Sequence, residues 1–115
     1  ADPGCLSFLK ITCCLIRRSE VTLSCNYSVK AENLQWYRQD PDSAPRFLLL
    51  ITDTKDPTVV EAEPPNPRLT AGLNKERNRV DLLISSAAVT DSAVYYCLNG
   101  FSPECVLTCR HKLPP

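Results

Sequence analysis

The sequence predicts an all-β fold, a sandwich of two antiparallel sheets that residues 1–115 form as a single domain. Three observations predict it. Ten prolines occur in the chain, and signals that start a helix are few. Apolar and polar residues alternate in short segments, which is the period of a half-buried strand. Clusters of turn-forming residues separate these segments at regular spacing, as in all-β sandwiches.

The first half of the chain contains three predicted strands. Residues 21–25 alternate strictly between apolar and polar side chains. Residues 34–39 alternate less strictly and still place two apolar side chains on one face. Residues 40–45 are dense in turn formers, and the apolar run 47–51 follows them as the third strand.

The second half contains two further predicted strands. Residues 80–84 place their apolar side chains on one face, and residues 93–98 form the last strand of this series. Residues 52–57 are polar and end in proline, so we predict a loop there. The proline-rich run 64–67 excludes both a helix and a central strand.

Composition places the chain outside the cell and argues against two classes of partner. Thirteen basic and thirteen acidic residues give a net charge of zero, so we expect neither nucleic acid nor a membrane surface as a partner. Seven cysteines are typical of a secreted protein. No apolar run is long enough to span a bilayer, and no complete secretory signal is present. We expect a mature, excised ectodomain, with any membrane segment absent from this chain and residues 1–4 added for expression.

Four residues carry the first family resemblance. Cys25 and Cys97 lie in strand-like segments, Trp36 lies between them, and Tyr95 precedes Cys97 by two positions. This arrangement is similar to that of the immunoglobulin sandwich. The resemblance implies a Cys25–Cys97 disulfide that joins the two sheets, with Trp36 packed against it. It also implies a tyrosine corner, in which the Tyr95 hydroxyl bonds to the backbone upstream.

Longer segments resemble one branch of this family, the variable domain of a T-cell receptor alpha chain. The resemblance extends over residues 19–98 and implies a variable-type Greek-key sandwich with an Arg68–Asp91 ion pair at one end. The matching segments are residues 36–39, 44–51, 68–71, 80–87 and 90–97.

The end of the chain departs from this family. Variable domains normally finish with Phe-Gly-x-Gly and a last strand, and residues 99–115 contain no such motif. Either residues 105–110 form an improvised last strand or the domain lacks a proper one. Because the first strand runs beside the last in this fold, a disulfide between Cys13 or Cys14 and Cys105 or Cys109 is geometrically plausible. The extra cysteines are Cys5, Cys13, Cys14, Cys105 and Cys109.

The resemblance assigns binding to two surfaces. Three loops at one end, near residues 27–33, 52–60 and 98–104, are expected to contact ligand. Their candidate residues are Tyr27, Ser28, Lys30, Glu32, Asn33, Thr52, Asp53, Lys55, Asn99 and Phe101. One face of the sandwich is expected to pair with a second variable domain. The candidate residues on that face are Tyr37, Gln39, Pro45, Phe47 and Tyr96.

The sequence offers one glycosylation site and few residues suited to catalysis or metal binding. Asn26-Tyr27-Ser28 is an N-glycosylation sequon, and Asn26 should point outward because Cys25 points inward. His111 is the only histidine, and no nucleophile has an identifiable histidine–carboxylate pair, so we expect no catalysis. Zinc ligands could come from Cys105, Cys109 and His111 together with Cys13 and Cys14, but a secreted sandwich oxidises such cysteines, so we expect no metal or cofactor.

Three functional hypotheses follow. The first is an antigen-receptor domain that pairs with a beta-type variable domain and binds peptide–MHC or another cell-surface protein. The second is an innate variable-type receptor that needs no rearranged joining segment. The third is a self-associating, unrearranged variable domain that forms a homodimer.

Overall fold

The computed structural model describes residues 6–10, 19–27, 31–87, 89–91, 93–99 and 107–112, with side chains at 20–27, 31–86, 90–91 and 93–98. This part of the chain forms nine strands and a 3-10 turn at Val89–Asp91. The strands are β1 (Leu6–Lys10), β2 (Ser19–Tyr27), β3 (Asn33–Gln39), β4 (Arg46–Thr52), β5 (Val59–Glu61), β6 (Leu69–Leu73), β7 (Arg79–Ala87), β8 (Val94–Asn99) and β9 (Leu107–Lys112).

The strands form two antiparallel sheets. The front sheet has the order β1-β8-β3-β4-β5, and the back sheet has the order β6-β7-β2-β9. Every pairing between neighbours is antiparallel. The predicted all-β sandwich of variable type is therefore confirmed.

Alternation along the strands determines which side chains enter the core. In β2 the buried positions are every second residue from Val21 to Tyr27, and in β7 they are Val80, Leu82 and Ile84. The intervening side chains are half-buried on the outer face. Each fully buried leucine contributes roughly 1.5–3 kcal/mol relative to an exposed one, so this pattern fixes the inward face of both strands.

Trp36 and Tyr95 are the largest side chains that the core buries completely. Trp36 lies on β3, and its indole N–H has no hydrogen-bond partner within the described part of the structure. Tyr95 lies on β8, and its hydroxyl donates to the backbone oxygen of Asp91 at 2.8 Å. Burial raises the pKa of Tyr95 to about 12. This geometry is the tyrosine corner that the resemblance implies.

The terminal strands lie in positions that the sequence did not predict. We expected residues 105–110 either to form an improvised last strand, with the first strand of the fold beside it, or to form no proper strand. β9 instead pairs with β2 in the back sheet, and β1 takes the place beside β8. β1 and β9 therefore lie in different sheets.

The two cysteines of the expected inter-sheet disulfide lie close together in the structure but are not bonded to each other. Cys25 on β2 and Cys97 on β8 are fully buried and lie close together between the sheets. Cys25 is disulfide-bonded, whereas Cys97 carries a free thiol, so the expected bridge between them is not closed here. In the back sheet, β9 places Cys109 at the register position opposite Cys25. The side chains of the five extra cysteines lie outside the described residues.

Candidate functional site

The antiparallel topology brings the predicted ligand loops to one end of the sandwich. Loop 1, residues 28–32, joins β2 to β3, and loop 2, residues 53–58, joins β4 to β5. Because β3 and β4 are antiparallel neighbours, the start of β3 lies beside the end of β4. The two loops are bonded directly, since the backbone N–H of Asp53 donates to the carbonyl oxygen of Glu32 at 3.1 Å.

Several predicted ligand residues lie outside the described part. Ser28 and Lys30 in loop 1 and Phe101 in the expected third loop are among them. The backbone of Asn99 is described as the last residue of β8, and its side chain is not.

The described loop residues divide into an exposed group and a buried group. Glu32, Lys55 and Asp56 are exposed at the loop tips. Tyr27 is only 3% exposed, and the side chain of Asp53 is 6% exposed. Tyr27 and Asp53 were expected to contact ligand, but side chains this deeply buried cannot form a contact surface. Their alternation and hydrogen bonding direct them beneath the loops instead.

Asp53 is the centre of the bonding beneath the loops. Its carboxylate accepts a hydrogen bond from the Tyr27 hydroxyl at 3.1 Å and from the backbone N–H of Ala31 at 3.3 Å. The guanidinium Nε of Arg77 lies 4.0 Å from the same carboxylate. Burial, followed by the negative charge of Asp53, raises the pKa of Tyr27 well above its usual range.

Loop 2 is closed at its base by threonines. The backbone N–H of Thr58 donates to Oγ1 of Thr52 at 2.8 Å, and the backbone N–H of Thr52 donates to the carbonyl oxygen of Thr58 at 3.0 Å. Thr52 is half-buried, so it serves the base of the loop rather than its tip. Loop 2 therefore projects Lys55 and Asp56 from a closed hairpin.

The candidate pairing face is the outer surface of the front sheet. The Tyr96 hydroxyl donates to Oε1 of Gln39 at 2.7 Å, and Nε2 of Gln39 donates to the carbonyl oxygen of Ser43 at 2.9 Å. The rings of Tyr37 and Phe47 pack edge to face with centroids 5.6 Å apart. The result is a half-buried aromatic surface around a glutamine whose orientation is fixed.

Three further observations define this face. Cross-strand register places Leu98 beside Gln35 and Gln35 beside Leu50, which extends the half-buried surface toward β5. Pro45 is exposed at its margin. Val60 lies opposite Leu50 and is 49% exposed, so the apolar surface continues to the sheet edge. The sequence reading did not identify Leu50 or Leu98.

A charge network occupies the end of the sandwich opposite the loops. The guanidinium of Arg68 bonds both carboxylate oxygens of Asp91, at 2.8 and 2.9 Å, and this hydrogen bonding raises the pKa of Arg68. Asp91 is only 4% exposed. Arg38 lies 3.7 Å from the same carboxylate and donates to the carbonyl oxygen of Thr90 at 2.6 Å.

Sequence reasoning missed the roles of Arg38 and Arg77. Alternation along β3 places Arg38 on the same side as Trp36, and an arginine on an inward-facing position signals a buried charge partner. Arg77 left no comparable signal, because it reaches Asp53 only after the chain folds. Its left-handed backbone, with φ of 55°, belongs to a turn that the sequence does not mark with glycine.

Asn26 lies on the back sheet and not on either candidate surface. Its neighbours in register are Arg79 on β7 and Thr108 on β9, and its side chain is half-buried on the outer face. A glycan at this position would therefore project away from the aromatic face of the front sheet.

Comparison with known proteins agrees with this architecture. The family model of the immunoglobulin V-set domain matches residues 17–111 of this chain. T cell receptor alpha variable 17 of Homo sapiens is 33% identical over 76 residues, which are 66% of this chain and 62% of that protein. The immunoglobulin iota chain of Mus musculus is 35% identical over 87 residues, 76% of this chain and 60% of that protein.

A third relative is the variable region of a T-cell receptor beta chain. T-cell receptor beta chain V region PHDS203 of Mus musculus is 29% identical over 92 residues, 78% of this chain and 72% of that protein. This chain spans less than two thirds of the length of T cell receptor alpha variable 17 and of the immunoglobulin iota chain. No helix in the described residues has the length and apolarity needed to cross a bilayer.

Proposed function

Because the chain belongs to the immunoglobulin V-set family, we propose that it recognises a ligand as an antigen-receptor variable domain of the T-cell receptor alpha type. The observation that carries this proposal is the spatial separation of two surfaces. One is the pair of bonded loops at the end of the sandwich, and the other is the aromatic outer face of the front sheet. A recognition domain that also pairs with a partner requires both.

The proposed ligand of the loops is a protein surface, and peptide–MHC is the form that the resemblance to alpha-chain variable domains implies. Glu32, Lys55 and Asp56 present both signs of charge at exposed loop tips. Charges at the edge of such a surface select partners by electrostatic complementarity more than they add affinity. The closed hairpin of loop 2 holds two of these charges on a rigid base.

The partner on the front sheet is a second variable domain, of the beta type. Tyr37, Phe47 and Tyr96 give this face the aromatic composition of protein interfaces, and Gln39 gives it a polar centre. Pro45 lies at the margin. Since the Asn26 sequon is on the opposite sheet, a glycan there would leave pairing unobstructed.

The domain acts outside the cell as part of a receptor ectodomain. V-set relatives and the seven cysteines both support an oxidising environment.

An innate receptor that needs no joining segment is the second candidate function. The position of β1 favours it, because β1 pairs with β8 along residues 94–98, where the last strand of a variable domain normally lies. A chain that fills this position with its own first strand does not require a joining strand to complete the front sheet.

The deciding experiment measures association in solution. The domain is analysed by size exclusion with light scattering, alone and mixed with a beta-type variable domain of the same organism. We expect a heterodimer, and we expect Phe47→Asp to abolish it because a buried unpaired charge is costly. The matched control is Leu83→Asp, which places the same charge on the outer face of the back sheet.

Each hypothesis has its own outcome. Loss of the heterodimer in Phe47→Asp but not in Leu83→Asp supports pairing through the front sheet. A monomer that ignores the beta-type domain favours the innate receptor. A homodimer that Phe47→Asp dissociates favours self-association. Binding of the pair to peptide–MHC multimers, weakened by Lys55→Ala, then tests the ligand.

A further inference from the structure

The carboxylate of Asp53 touches three separate segments of the chain although it lies in the second loop. It accepts hydrogen bonds from Tyr27 at the end of β2 and from the backbone of Ala31 in loop 1. Arg77, in the turn between β6 and β7, approaches the same carboxylate at 4.0 Å and donates to the carbonyl oxygen of Asp53 at 3.4 Å. These contacts place Asp53 at the junction of the two ligand loops and a framework turn.

We propose that Asp53 is a positioning residue that fixes loop 1, loop 2 and the β6–β7 turn relative to one another, so that the exposed loop tips form one preorganised ligand surface. The ligand role of that surface rests on the proposed function, whereas the fixing itself does not.

Burial makes the carboxylate suited to this role. A carboxylate whose side chain is 6% exposed must be hydrogen-bonded or paired, because an isolated buried charge is strongly unfavourable. In the structure Tyr27, Ala31 and Arg77 together meet this requirement. Moving either loop would leave a buried acceptor unsatisfied, so the three segments hold each other in position.

The framework turn is itself rigid, so it provides an anchor. Oδ1 of Asn74 accepts from the backbone N–H groups of Asn78 and Arg79 at 2.9 and 2.8 Å. The N–H of Arg77 donates to the carbonyl oxygen of Asn74, and the carbonyl oxygen of Asn78 accepts from the N–H of Tyr27, both at 3.0 Å. The turn thus fixes the backbones of Arg77 and Tyr27, two of the three residues that contact the Asp53 carboxylate.

Preorganisation changes binding by lowering the entropy lost when loops become ordered on a ligand. Tips that are already fixed, such as Glu32 and Lys55, lose less freedom than tips on independent loops. Asp53 would therefore act on affinity without touching the ligand, which agrees with its burial.

The test is hydrogen–deuterium exchange of the free domain, which needs neither ligand nor second domain. Asp53→Asn keeps the shape of the side chain and removes its charge, and Asp56→Asn makes the same change at an exposed position of the same loop. In Asp53→Asn we expect the backbone amides of Ala31 and Asp53 to exchange roughly tenfold faster, equivalent to about 1.4 kcal/mol. We expect amides in the middle of β2 and β7 to be unchanged.

A second readout separates positioning from a general loss of stability. Burial is the main cause of the raised pKa of Tyr27, and the charge and hydrogen bond of Asp53 raise it further. Of the other titratable groups near it, Arg77 lowers this pKa and Cys97 raises it. A spectrophotometric tyrosine titration should therefore show one transition at lower pH in Asp53→Asn and no shift in Asp56→Asn. Should Asp53→Asn fail to fold, Tyr27→Phe removes one donor and should still accelerate exchange at Ala31.

Equal loop exchange and equal tyrosine titration in the two asparagine variants would overturn the proposal. So would exchange that rises uniformly across the core and the loops, because Asp53 would then act on global stability alone. Both results concern the free domain, so they are independent of whether pairing or peptide–MHC binding is observed.

Discussion

Removing the negative charge of Asp91 should destabilise the domain more than removing the negative charge of Asp81, which pairs with Arg79 on the surface. In the native structure the Asp91 carboxylate accepts two hydrogen bonds from Arg68 and lies 3.7 Å from Arg38. Asp91→Asn keeps the shape of the side chain but leaves only one acceptor oxygen. Two arginines then share a neutral partner in a site where Asp91 is 4% exposed.

The magnitude follows from the number and burial of these bonds. Two hydrogen bonds to a charged group contribute about 3–6 kcal/mol when fully desolvated. The side chain of Arg68 is 37% exposed, so solvent screens part of this energy, and the asparagine oxygen retains one weaker bond. We therefore expect a loss of about 2 kcal/mol, which lowers Tm by roughly 8 °C for a domain of this size.

The assay is thermal unfolding at neutral pH, with Asp81→Asn as the matched control. Asp81 pairs with Arg79 at 3.1 Å, but these side chains are 30% and 47% exposed, so the control should lose less than about 1 kcal/mol. Equal Tm changes in the two variants would refute the reasoning, because burial would then make no difference to the Arg68–Asp91 pair.

Three further predictions concern the core. Cys97 should resist alkylation in the native protein, because burial raises the pKa of its thiol. It should react after denaturation without reductant. A thiol that reacts only after reduction would show that a bridge is closed in solution. Stability should fall between about pH 10 and 12, since Tyr95 and Tyr27 hold their protons more tightly when folded; a midpoint of denaturant unfolding that stays constant across this range would contradict it. Leu82→Ala should cost about 2–5 kcal/mol and Leu83→Ala much less, because only Leu82 faces the core; equal losses in chemical denaturation would reverse this assignment.

The framework could be predicted from the sequence because its signals are local. Alternation assigns buried and outward positions to β2 and β7, and each strand carries this pattern within a few residues. Trp36 and Tyr95 occupy the core positions that their spacing to the cysteines indicates. The Arg68–Asp91 pair depended on the family resemblance, and its geometry appears only in the folded chain.

The loops could be located from the sequence, but the roles of individual loop residues could not. Tyr27 and Asp53 are polar residues in or beside predicted loops, which is the usual signature of a contact surface. The Asp53 carboxylate contacts Ala31, which lies in the other loop, and Arg77, which is distant in sequence. No local pattern records such a contact.

The sequence by itself determined the sandwich and the inward faces of its strands, because period-two alternation and turn chemistry act over a few neighbouring residues, whereas the location of the candidate loops at one end followed from the family resemblance. Only the tertiary structure decided that β1 lies beside β8 and β9 beside β2, and that Asp53 supports the loops from beneath. These strand pairings and contacts join segments far apart in the chain. They depend on which strand edge is free and on which buried polar group still needs a partner.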